Sequence, residues 1–204
     1  MAEKICGIIS GGERDALRGI EECALVIACD KGYQYAMEAG VRPDMLIGDF
    51  DSYTGPLPND IPRLSLPAEK DDTDTMAAVR HAIGLGFFEL RLYCALGGRP
   101  DHLLGNIQTL AFCAEHGARA AIIGNACRID VIKNSALSLE EQEGYFSVIS
   151  LSDASTVTIE NAKYRLVDAA LTNSFPIGVS NRWESGAARV TVKSGAVAVI
   201  RVRE

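Results

Sequence analysis

Two patterns of apolar and polar residues divide the chain near residue 125. Over residues 1–125, short apolar runs alternate with amphipathic segments, which is typical of the strands and helices of a mostly parallel sheet. The apolar runs predict strands at Ile5–Ile9, Leu25–Cys29, Met45–Ile47, Arg63–Leu66, Leu90–Leu96 and Arg119–Ile123. The amphipathic segments predict helices at Arg14–Glu22, Tyr33–Ala39, Thr75–Leu85 and Leu103–His116. We therefore expect an α/β domain over residues 1–125.

After residue 125 the helical periodicity fades, except at Ser138–Glu143, and short β-rich runs separated by Gly, Asn, Asp and Ser take its place. These runs are Phe146–Leu151, Thr156–Ile159, Ala188–Val192 and Ala196–Val202. The last two flank the short glycine-containing segment Lys193–Gly195, which predicts a hairpin. We expect residues 126–204 to form a second, all-β domain, a small sandwich or barrel.

The charge of the chain narrows the classes of function. The formal net charge is −7 and the pI is about 5.0, so the chain lacks the basic surplus of a general nucleic-acid-binding protein. No apolar run reaches the length of about 18 residues that a membrane span needs, and the first residues lack the apolar core of a signal peptide. These features indicate a cytoplasmic protein with no nucleic-acid or membrane partner.

Six cysteines are spread along the chain without a C-x-x-C pair, and most of them lie inside apolar runs. Cys29 ends one such run and Cys94 lies within another. This spacing favours buried, reduced thiols over metal ligands or disulfides.

Acidic residues follow several of the predicted strands. In open α/β sheets, ligands bind beyond the carboxyl ends of the strands, where loops and helix N-termini converge. The polar segments at these positions are Asp30–Gly32, Gly48–Ser52, Lys70–Thr75 and Gly97–His102. The sequence thus predicts a cluster of carboxylates at one edge of the sheet.

Asp49 and Asp51 are two residues apart, so in an extended segment they project from the same face, about 7 Å apart at the backbone. Two carboxylates about 5 Å apart repel by roughly 3 kcal/mol at an effective dielectric constant near 20. Adding Asp30 or Asp74 would increase this repulsion. Such a cluster raises the pKa of one member or binds a divalent cation, and oxygen ligands without His or Cys favour Mg²⁺ over Zn²⁺. A turn followed by a helix cap is the alternative interpretation.

Two cationic residues stand beside these carboxylates. Lys70 precedes the acidic start of a predicted helix, and Arg99 offers a bidentate fork suited to a phosphate group. The alternatives are a solvated lysine before an ordinary helix start and a surface arginine in a glycine-rich turn. No Walker, nucleophile-elbow or zinc-helix motif is present, and Ser10–Gly12 is too short to indicate phosphate binding by itself. The combination points to metal-assisted chemistry on a phosphate ester.

Several of these segments resemble, in order and spacing, the motifs of the thiamine pyrophosphokinase family. They are Asp30–Gly32, Arg42–Asp44 leading into Ile47–Ser52, Lys70–Asp74, and Gly97–His102 with Asn106. The joint pattern is highly specific, although each piece is weak alone. Farther along, Ala162–Leu166 and Gly178–Asn181 resemble the Tyr-x-Leu segment and the Ser-Asn pair of the family.

The resemblance implies transfer of the pyrophosphoryl group of ATP to thiamine, giving thiamine diphosphate and AMP. It further implies a Rossmann-like N-terminal domain that binds ATP and Mg²⁺, followed by a β-sandwich that binds thiamine. A homodimer with active sites at the subunit interface is also implied.

On this interpretation, Asp49, Asp51 and Asp74 hold Mg²⁺ on the phosphates, and Asp51 or Asp74 takes the proton of the acceptor hydroxyl. Lys70 and Arg99 compensate the negative charge that develops on the transferred group and on AMP. The remaining polar residues expected to orient the site or contact ATP are Asp30, Asp101, His102 and Asn106.

For thiamine, the resemblance implies contacts from Ser180 and Asn181 to the pyrimidine ring. Trp183 either stacks on a ring, a cation–π geometry that contributes about 1–2 kcal/mol, or belongs to the core of the sandwich. The sequence leaves both roles open.

Two other functions remain open from the residues alone. Asp49–Ser52 resembles the D-x-D-[ST] nucleophile of phosphatases that form an aspartyl phosphate, although that motif normally follows the first strand of its domain. A non-enzymatic sensor of nucleotides or thiamine phosphates could use the same sheet edge. Release of free phosphate would indicate the phosphatase, and tight binding without turnover would indicate the sensor.

Overall fold

The computed structural model describes residues 4–50, 53, 55–67 and 72–204. The chain divides into two compact units, Met1–Asn125 and Ala126–Glu204. Within the described residues, no helix combines the length and apolar content that a membrane crossing requires.

The first unit is an α/β unit built on parallel strands. The strands are β1 (Ile5–Ile9), β2 (Leu25–Cys29), β3 (Met45–Gly48), β4 (Arg63–Ser65), β5 (Glu89–Tyr93) and β6 (Arg119–Ile123). The helices are α1 (Gly32–Glu38), α2 (Asp74–Gly84) and α3 (Pro100–Glu115). The strands lie in the order β4-β3-β2-β1-β5-β6, and each neighbouring pair is parallel. The central strands are buried, which explains why they read as continuous apolar runs.

The predicted helix at Arg14–Glu22 is wrong, because this segment forms a loop with a single 3-10 turn at Ile20–Glu22. The side chain of Asp15 accepts hydrogen bonds from the backbone N–H groups of Ala16 (2.7 Å) and Asn125 (3.0 Å). Such local side-chain bonds compete with helix formation. Gly19, in the left-handed region at φ 74°, interrupts the segment as well.

The starts of the two longer helices lie slightly earlier than predicted. The Thr73 side chain accepts a hydrogen bond from the backbone N–H of Met76 (3.1 Å), so it caps α2 and the helix begins at Asp74. Helix α3 begins at Pro100, three residues before the predicted Leu103. Proline fits the first helical position because its missing N–H would be unpaired there in any case.

The second unit consists of antiparallel strands. They are β7 (Cys127–Lys133), β8 (Ala136–Leu139), β9 (Tyr145–Ser150), β10 (Ala154–Glu160), β11 (Leu166–Thr172), β12 (Ala188–Ser194) and β13 (Ala196–Val202). Two groups form, β7-β13-β9 and β11-β10-β12-β8. Their buried residues, among them Phe146, Val157, Val190 and Val199, belong to one core cluster. The expected fold class, a Rossmann-like parallel sheet followed by a β-sandwich, is confirmed.

The predicted hairpin at the C-terminal end is wrong, because β12 and β13 do not pair. Strand β12 pairs with β10 and β8, whereas β13 pairs with β7 and β9. The turn between them, at Gly195 (φ 82°), lies so close to the chain that an added Cβ would be 2.5 Å from the Ser155 Oγ. The turn therefore carries the chain from one sheet of the sandwich to the other.

Three other local expectations also change. Ser138–Glu143, expected to be helical, contains the end of strand β8 and a loop. Strands β7 and β11 were not predicted, and β11 lacks a clear alternation of buried and exposed residues because it pairs on one side alone, with β10. Four of the six cysteines are buried, as expected: Cys6, Cys29, Cys94 and Cys113.

Candidate active site

The order of the strands places a crevice between the loops that follow β1 and β5. From β1 the chain continues outward through β2, β3 and β4, whereas β5 and β6 lie on the opposite side of β1. The loops at the carboxyl ends of β1 and β5 therefore run in opposite directions, which is the topological switch point where open α/β sheets bind ligands.

A cavity of about 500 Å³ opens at this switch point. It is lined by the loops after β1, β2 and β5 and by the first residues of α2 and α3. The lining residues are Gly11, Gly12, Cys29, Asp30, Thr73, Asp74, Thr75, Gly97, Asp101, His102, Gly105 and Asn106. Five predicted site residues from three segments thus line one cavity: Asp30, Asp74, and Asp101, His102 and Asn106 of α3.

Asp30 connects the ends of β2 and β3. Its Oδ1 accepts a hydrogen bond from the backbone N–H of Phe50 (3.0 Å), and both residues have positive φ, 45° and 59°. Left-handed conformations of non-glycine residues carry strain and recur at functional sites. Gly48 makes the arrangement sterically feasible, because a Cβ there would lie 2.0 Å from the Asp30 Oδ1. The segment Gly48–Phe50 is therefore shaped around the Asp30 carboxyl.

The carboxyl groups of Asp30 and Asp74 form a side-chain hydrogen bond. The pKa of Asp30 is raised to about 7, chiefly by burial and then by this hydrogen bond and the charges of Asp74 and Asp49, against a lowering by the Phe50 N–H. The cavity thus brings together negative charges that destabilise one another at neutral pH. A bound cation would relieve this repulsion, so the residues fit the Mg²⁺ that the sequence predicts.

The start of α2 is held against β1 and β2. The Thr75 Oγ1 donates a hydrogen bond to the Ser10 Oγ (2.9 Å), and both side chains are buried. The Cys29 thiol donates to the carbonyl of Asp74 (3.6 Å). These contacts fix the position of Asp74 opposite Asp30.

Two predicted site residues, Asp51 and Lys70, lie outside the described residues. Asp49, predicted as a metal ligand, directly follows β3, and its charge contributes to the raised pKa of Asp30. Among the described residues, no group of three or more His, Cys, Asp or Glu side chains is arranged to hold a metal ion. The predicted set of Asp49, Asp51 and Asp74 therefore remains a prediction.

Arg99 is engaged with a neighbouring carboxylate. Its Nε and Nη2 donate to the two carboxylate oxygens of Asp101, at 3.1 and 2.5 Å, and both side chains are largely exposed. This bidentate pair lowers the pKa of Asp101 and raises that of Arg99. The fork that the sequence assigned to a phosphate is therefore occupied by Asp101 in this structure.

His102 and Asn106 lie on the first turns of α3. The His102 backbone N–H donates to the Asp101 Oδ1 (3.1 Å), and its side chain is exposed at the cavity. The Asn106 Nδ2 donates to the carbonyl of Ala95 (2.8 Å), which joins α3 to the segment after β5. Asn106 thus has a structural role in addition to lining the cavity.

Gly11 and Gly12, in the loop after β1, form part of the cavity wall, although their short motif did not indicate a binding site by itself. A Cβ on Gly12 would lie 2.5 Å from the Cys94 carbonyl, so bare backbone is required where this loop meets the end of β5. The Tyr35 hydroxyl also donates to the Gly12 carbonyl (2.8 Å). The pair Gly11–Gly12 soon after the first strand was the sequence signal for this part of the cavity wall. It could not be interpreted from the sequence, because the close approach needs β1 to lie beside β5.

Ser180, Asn181 and Trp183 belong to the second unit. Ser180 is exposed, has φ 61°, and donates its backbone N–H to the Ser147 Oγ (3.0 Å). The buried Asn181 side chain binds the backbone of Tyr164, accepting from its N–H (3.0 Å) and donating to its carbonyl (2.8 Å). Asn181 therefore positions the segment that contains the exposed Tyr164.

The Trp183 ring packs edge-to-face on Phe146, with 5.0 Å between ring centroids. Its Nε1 donates to the Leu139 carbonyl (3.0 Å). These contacts agree with the core role that the sequence left open for Trp183.

Comparison with known proteins is consistent with this geometry. The family model described as thiamin pyrophosphokinase, catalytic domain, matches residues 17–122, and the model described as thiamin pyrophosphokinase, vitamin B1 binding domain, matches residues 129–197. The chain belongs to the thiamin pyrophosphokinase family. Like the relatives that carry this name, it is a thiamine pyrophosphokinase-type enzyme.

Relatives of the thiamin pyrophosphokinase family resemble the chain over nearly its whole length. The thiamine pyrophosphokinase of Bacillus subtilis strain 168 is 28% identical over 210 residues, covering 97% of this chain and 98% of the relative. A crystal structure of thiamine pyrophosphokinase from Bacillus subtilis has a TM-score of 0.89 at 25% identity, covering 98% of this chain and 100% of that one. The thiamin pyrophosphokinase structure from Candida albicans has the same fold, with a TM-score of 0.78 at 15% identity and coverage of 98% and 89%.

Proposed function

We propose that this enzyme transfers the pyrophosphoryl group of ATP to the hydroxyl of thiamine and releases AMP. The observation that supports the proposal most directly is the cavity at the switch point, where the carboxyl groups of Asp30 and Asp74 meet, in a chain of this family. A cluster of carboxylates beside cationic side chains suits a metal-bound polyphosphate.

In the proposed reaction, the thiamine hydroxyl oxygen forms a bond to the β-phosphorus of ATP. The bond from that phosphorus to the oxygen bridging to the α-phosphorus breaks, and its electron pair leaves with AMP. The hydroxyl proton passes to a carboxylate and then to solvent. Because such a transfer depends mainly on in-line positioning and charge neutralisation, fixed side chains at the cavity are the contribution expected of the protein.

Asp49, Asp51 and Asp74 would hold Mg²⁺, which would supply neutralisation of phosphate charge. Asp51 or Asp74 would accept the proton of the acceptor. Lys70 and Arg99 would compensate the charge that develops on the transferred and leaving groups. For Arg99 this requires exchange of the Asp101 carboxylate for a phosphate, and the largely exposed position of the pair leaves room for that exchange.

Asp30 and Asp101 orient the site in this proposal. Asp30 does so through its hydrogen bonds to Phe50 and Asp74, and Asp101 through its pairing with Arg99. His102 and Asn106 line the cavity and are proposed to contact ATP.

On the thiamine side, Ser180 is the proposed direct contact because it is exposed and held in a strained backbone conformation. Asn181 would act through Tyr164, whose backbone it binds at both the N–H and the carbonyl. Trp183 would support the same region from the core. The thiazolium of thiamine carries a permanent positive charge, which favours an acidic protein as its binding partner.

Phosphorus NMR of the purified protein with Mg²⁺, ATP and thiamine tests the reaction. Pyrophosphoryl transfer leaves AMP with an equal amount of thiamine diphosphate, and ordinary phosphoryl transfer leaves ADP. Free phosphate without acceptor product would instead indicate the phosphatase, and tight binding without turnover would indicate the sensor. Omitting thiamine is the control, since AMP should then not accumulate.

We further propose a homodimer in the cytoplasm. The family resemblance supports the dimer, with active sites at its interface, and light scattering coupled to size-exclusion chromatography tests it. Two features support the location: ATP as the proposed co-substrate, and cysteines that lie mostly in the core as reduced thiols would. Fractionation of cells that produce the tagged chain would test this.

A further inference from the structure

A second cavity, of about 450 Å³, adjoins the carboxylate cavity, and most of the charged side chains that line it are cationic. The two cavities share Gly11, Gly12, Gly97 and His102 in their linings. The charged residues that line the second cavity are three cations and one carboxylate: Arg14, Lys31, Arg99 and Glu13. A ligand that spans both cavities would thus extend from a metal-binding region into a basic one.

The three cations differ in how their charge is compensated. Arg99 is paired with Asp101, and the Arg14 Nε lies 3.2 Å from the carboxylate of Glu38. The Lys31 Nζ instead lies 5.6 Å from the centroid of the Tyr35 ring, and within the described part of the chain the structure gives Lys31 no ion pair. Lys31 therefore brings an uncompensated positive charge to the wall of this cavity.

The backbone holds Lys31 beside the loop that follows β1. A Cβ on Gly32 would lie 2.1 Å from the Ile9 carbonyl, so only glycine lets the chain after Lys31 run this close to β1. A Cβ on Gly11 would lie 3.6 Å from the Lys31 Cβ, which places the lysine stem next to bare backbone. Tyr35, which carries the Lys31 ammonium over its ring, is itself held by the hydrogen bond from its hydroxyl to the Gly12 carbonyl.

A cation held by the carboxylates neutralises only part of the charge of a triphosphate, so the remaining phosphate oxygens need further cations. We propose that Lys31 binds a phosphate group of the nucleotide in this second cavity. The inference rests on the proposed function, and it adds Lys31 to the residues that contact the nucleotide. Lys31 lies directly after Asp30, so one short segment supplies a residue to each cavity.

Three variants of Lys31 and one control separate charge from packing. K31M removes the charge and keeps an apolar stem near Tyr35, K31R keeps the charge, and K4M is the control. Lys4 is exposed and directly precedes β1, at the opposite edge of the sheet from both cavities. Initial rates of AMP formation give kcat and KM for MgATP, and titration calorimetry with AMP and with inorganic pyrophosphate gives affinities. Circular dichroism checks that each variant is folded, and K31Q provides a second variant without the charge.

We expect K31M and K31Q to raise the KM for MgATP by about 10- to 100-fold with a smaller change in kcat, since a hydrogen bond to a charged group is lost. K31R should restore most of the affinity, and K4M should match the wild type. Weaker binding of AMP would place Lys31 at the α-phosphate, and weaker binding of pyrophosphate would place it at the β- or γ-phosphate.

An unchanged KM together with unchanged affinities for both probes would overturn the assignment. Equal impairment of K31R and K31M would also overturn it, because the loss would then arise from packing and not from charge. If the wild type forms no AMP, the proposed function fails, but pyrophosphate binding to the wild type and K31M still decides whether Lys31 forms an anion site.

Discussion

Replacing Asp30 by asparagine should stabilise the ligand-free protein above neutral pH. The pKa of Asp30 is raised from 3.8 to about 7 in the folded chain, mainly by burial and by the hydrogen bond to Asp74. Between these two values the folded state binds more protons than the unfolded state. The free energy of unfolding therefore falls as the pH rises from about 4 to about 7, and the loss is complete above the folded pKa.

A shift of this size corresponds to at most about 4 kcal/mol, since one pKa unit is equivalent to about 1.4 kcal/mol. Asp30 is half-buried at the edge of an open cavity, so solvent screening reduces the expected effect to about 2 kcal/mol. Asparagine resembles the protonated acid, because its oxygen can accept from the Phe50 N–H while its amide donates to Asp74. Asp30→Asn should thus match the wild type at about pH 4 and exceed it by about 2 kcal/mol at about pH 8.

Urea unfolding followed by circular dichroism in the helix band measures this difference, because helices α1, α2 and α3 all belong to the first unit. Asp60→Asn is the matched control. Asp60 is exposed and pairs with Arg42, which lowers its pKa, so its effect should not vary between about pH 5 and pH 8. A stability difference for Asp30→Asn that is the same at low and high pH would refute the raised pKa of Asp30.

Three further substitutions test the site and the sandwich. Gly48→Ala should lower the free energy of unfolding by about 2–3 kcal/mol and abolish activity, since the new Cβ would lie 2.0 Å from the Asp30 Oδ1. Gly84→Ala is the control and should change neither, because a Cβ at Gly84 meets nothing within 4 Å. Arg99→Ala should lose about 100-fold in turnover without a change in urea midpoint, and full activity would remove Arg99 from the site. Asp130→Asn should lower the free energy of unfolding by about 3–5 kcal/mol, because the buried carboxylate pairs with Arg128 and Arg201. Urea unfolding followed by Trp183 fluorescence measures this, and a loss below about 1 kcal/mol would contradict it.

Local patterns predicted most elements of both units. A parallel strand buried on both faces must be apolar along its length, so Ile5–Ile9 and Leu25–Cys29 were readable as strands without any tertiary information. Helix α2 likewise carries its own start signal in Thr73. The errors occurred where a distant contact decides the local structure. Asp15 binds the backbone of Asn125 across a long stretch of chain, and this contact replaces the predicted helix.

The end of the chain shows the same limit. The runs that became β12 and β13 are both rich in β-formers, and a glycine lies between them, which is also the pattern of a hairpin. Which partners these strands take depends on β7, β8, β9 and β10, which no local pattern around Gly195 encodes. The separation of β12 and β13 into different sheets was therefore beyond the reach of the sequence pattern.

The sequence by itself determined the order of an α/β domain and a β-sandwich, and it placed the candidate carboxylates after the strands, because strand direction alone brings such residues to one edge of a parallel sheet. Tertiary structure alone decided that β1 lies between β2 and β5, which turns Gly11 and Gly12 into a wall of the cavity. It also decided that Asp30 meets Asp74, which raises the pKa of Asp30, and that Arg99 pairs with Asp101. Charges interact through space, so their partners and pKa values follow from the packing of segments that are far apart in the chain.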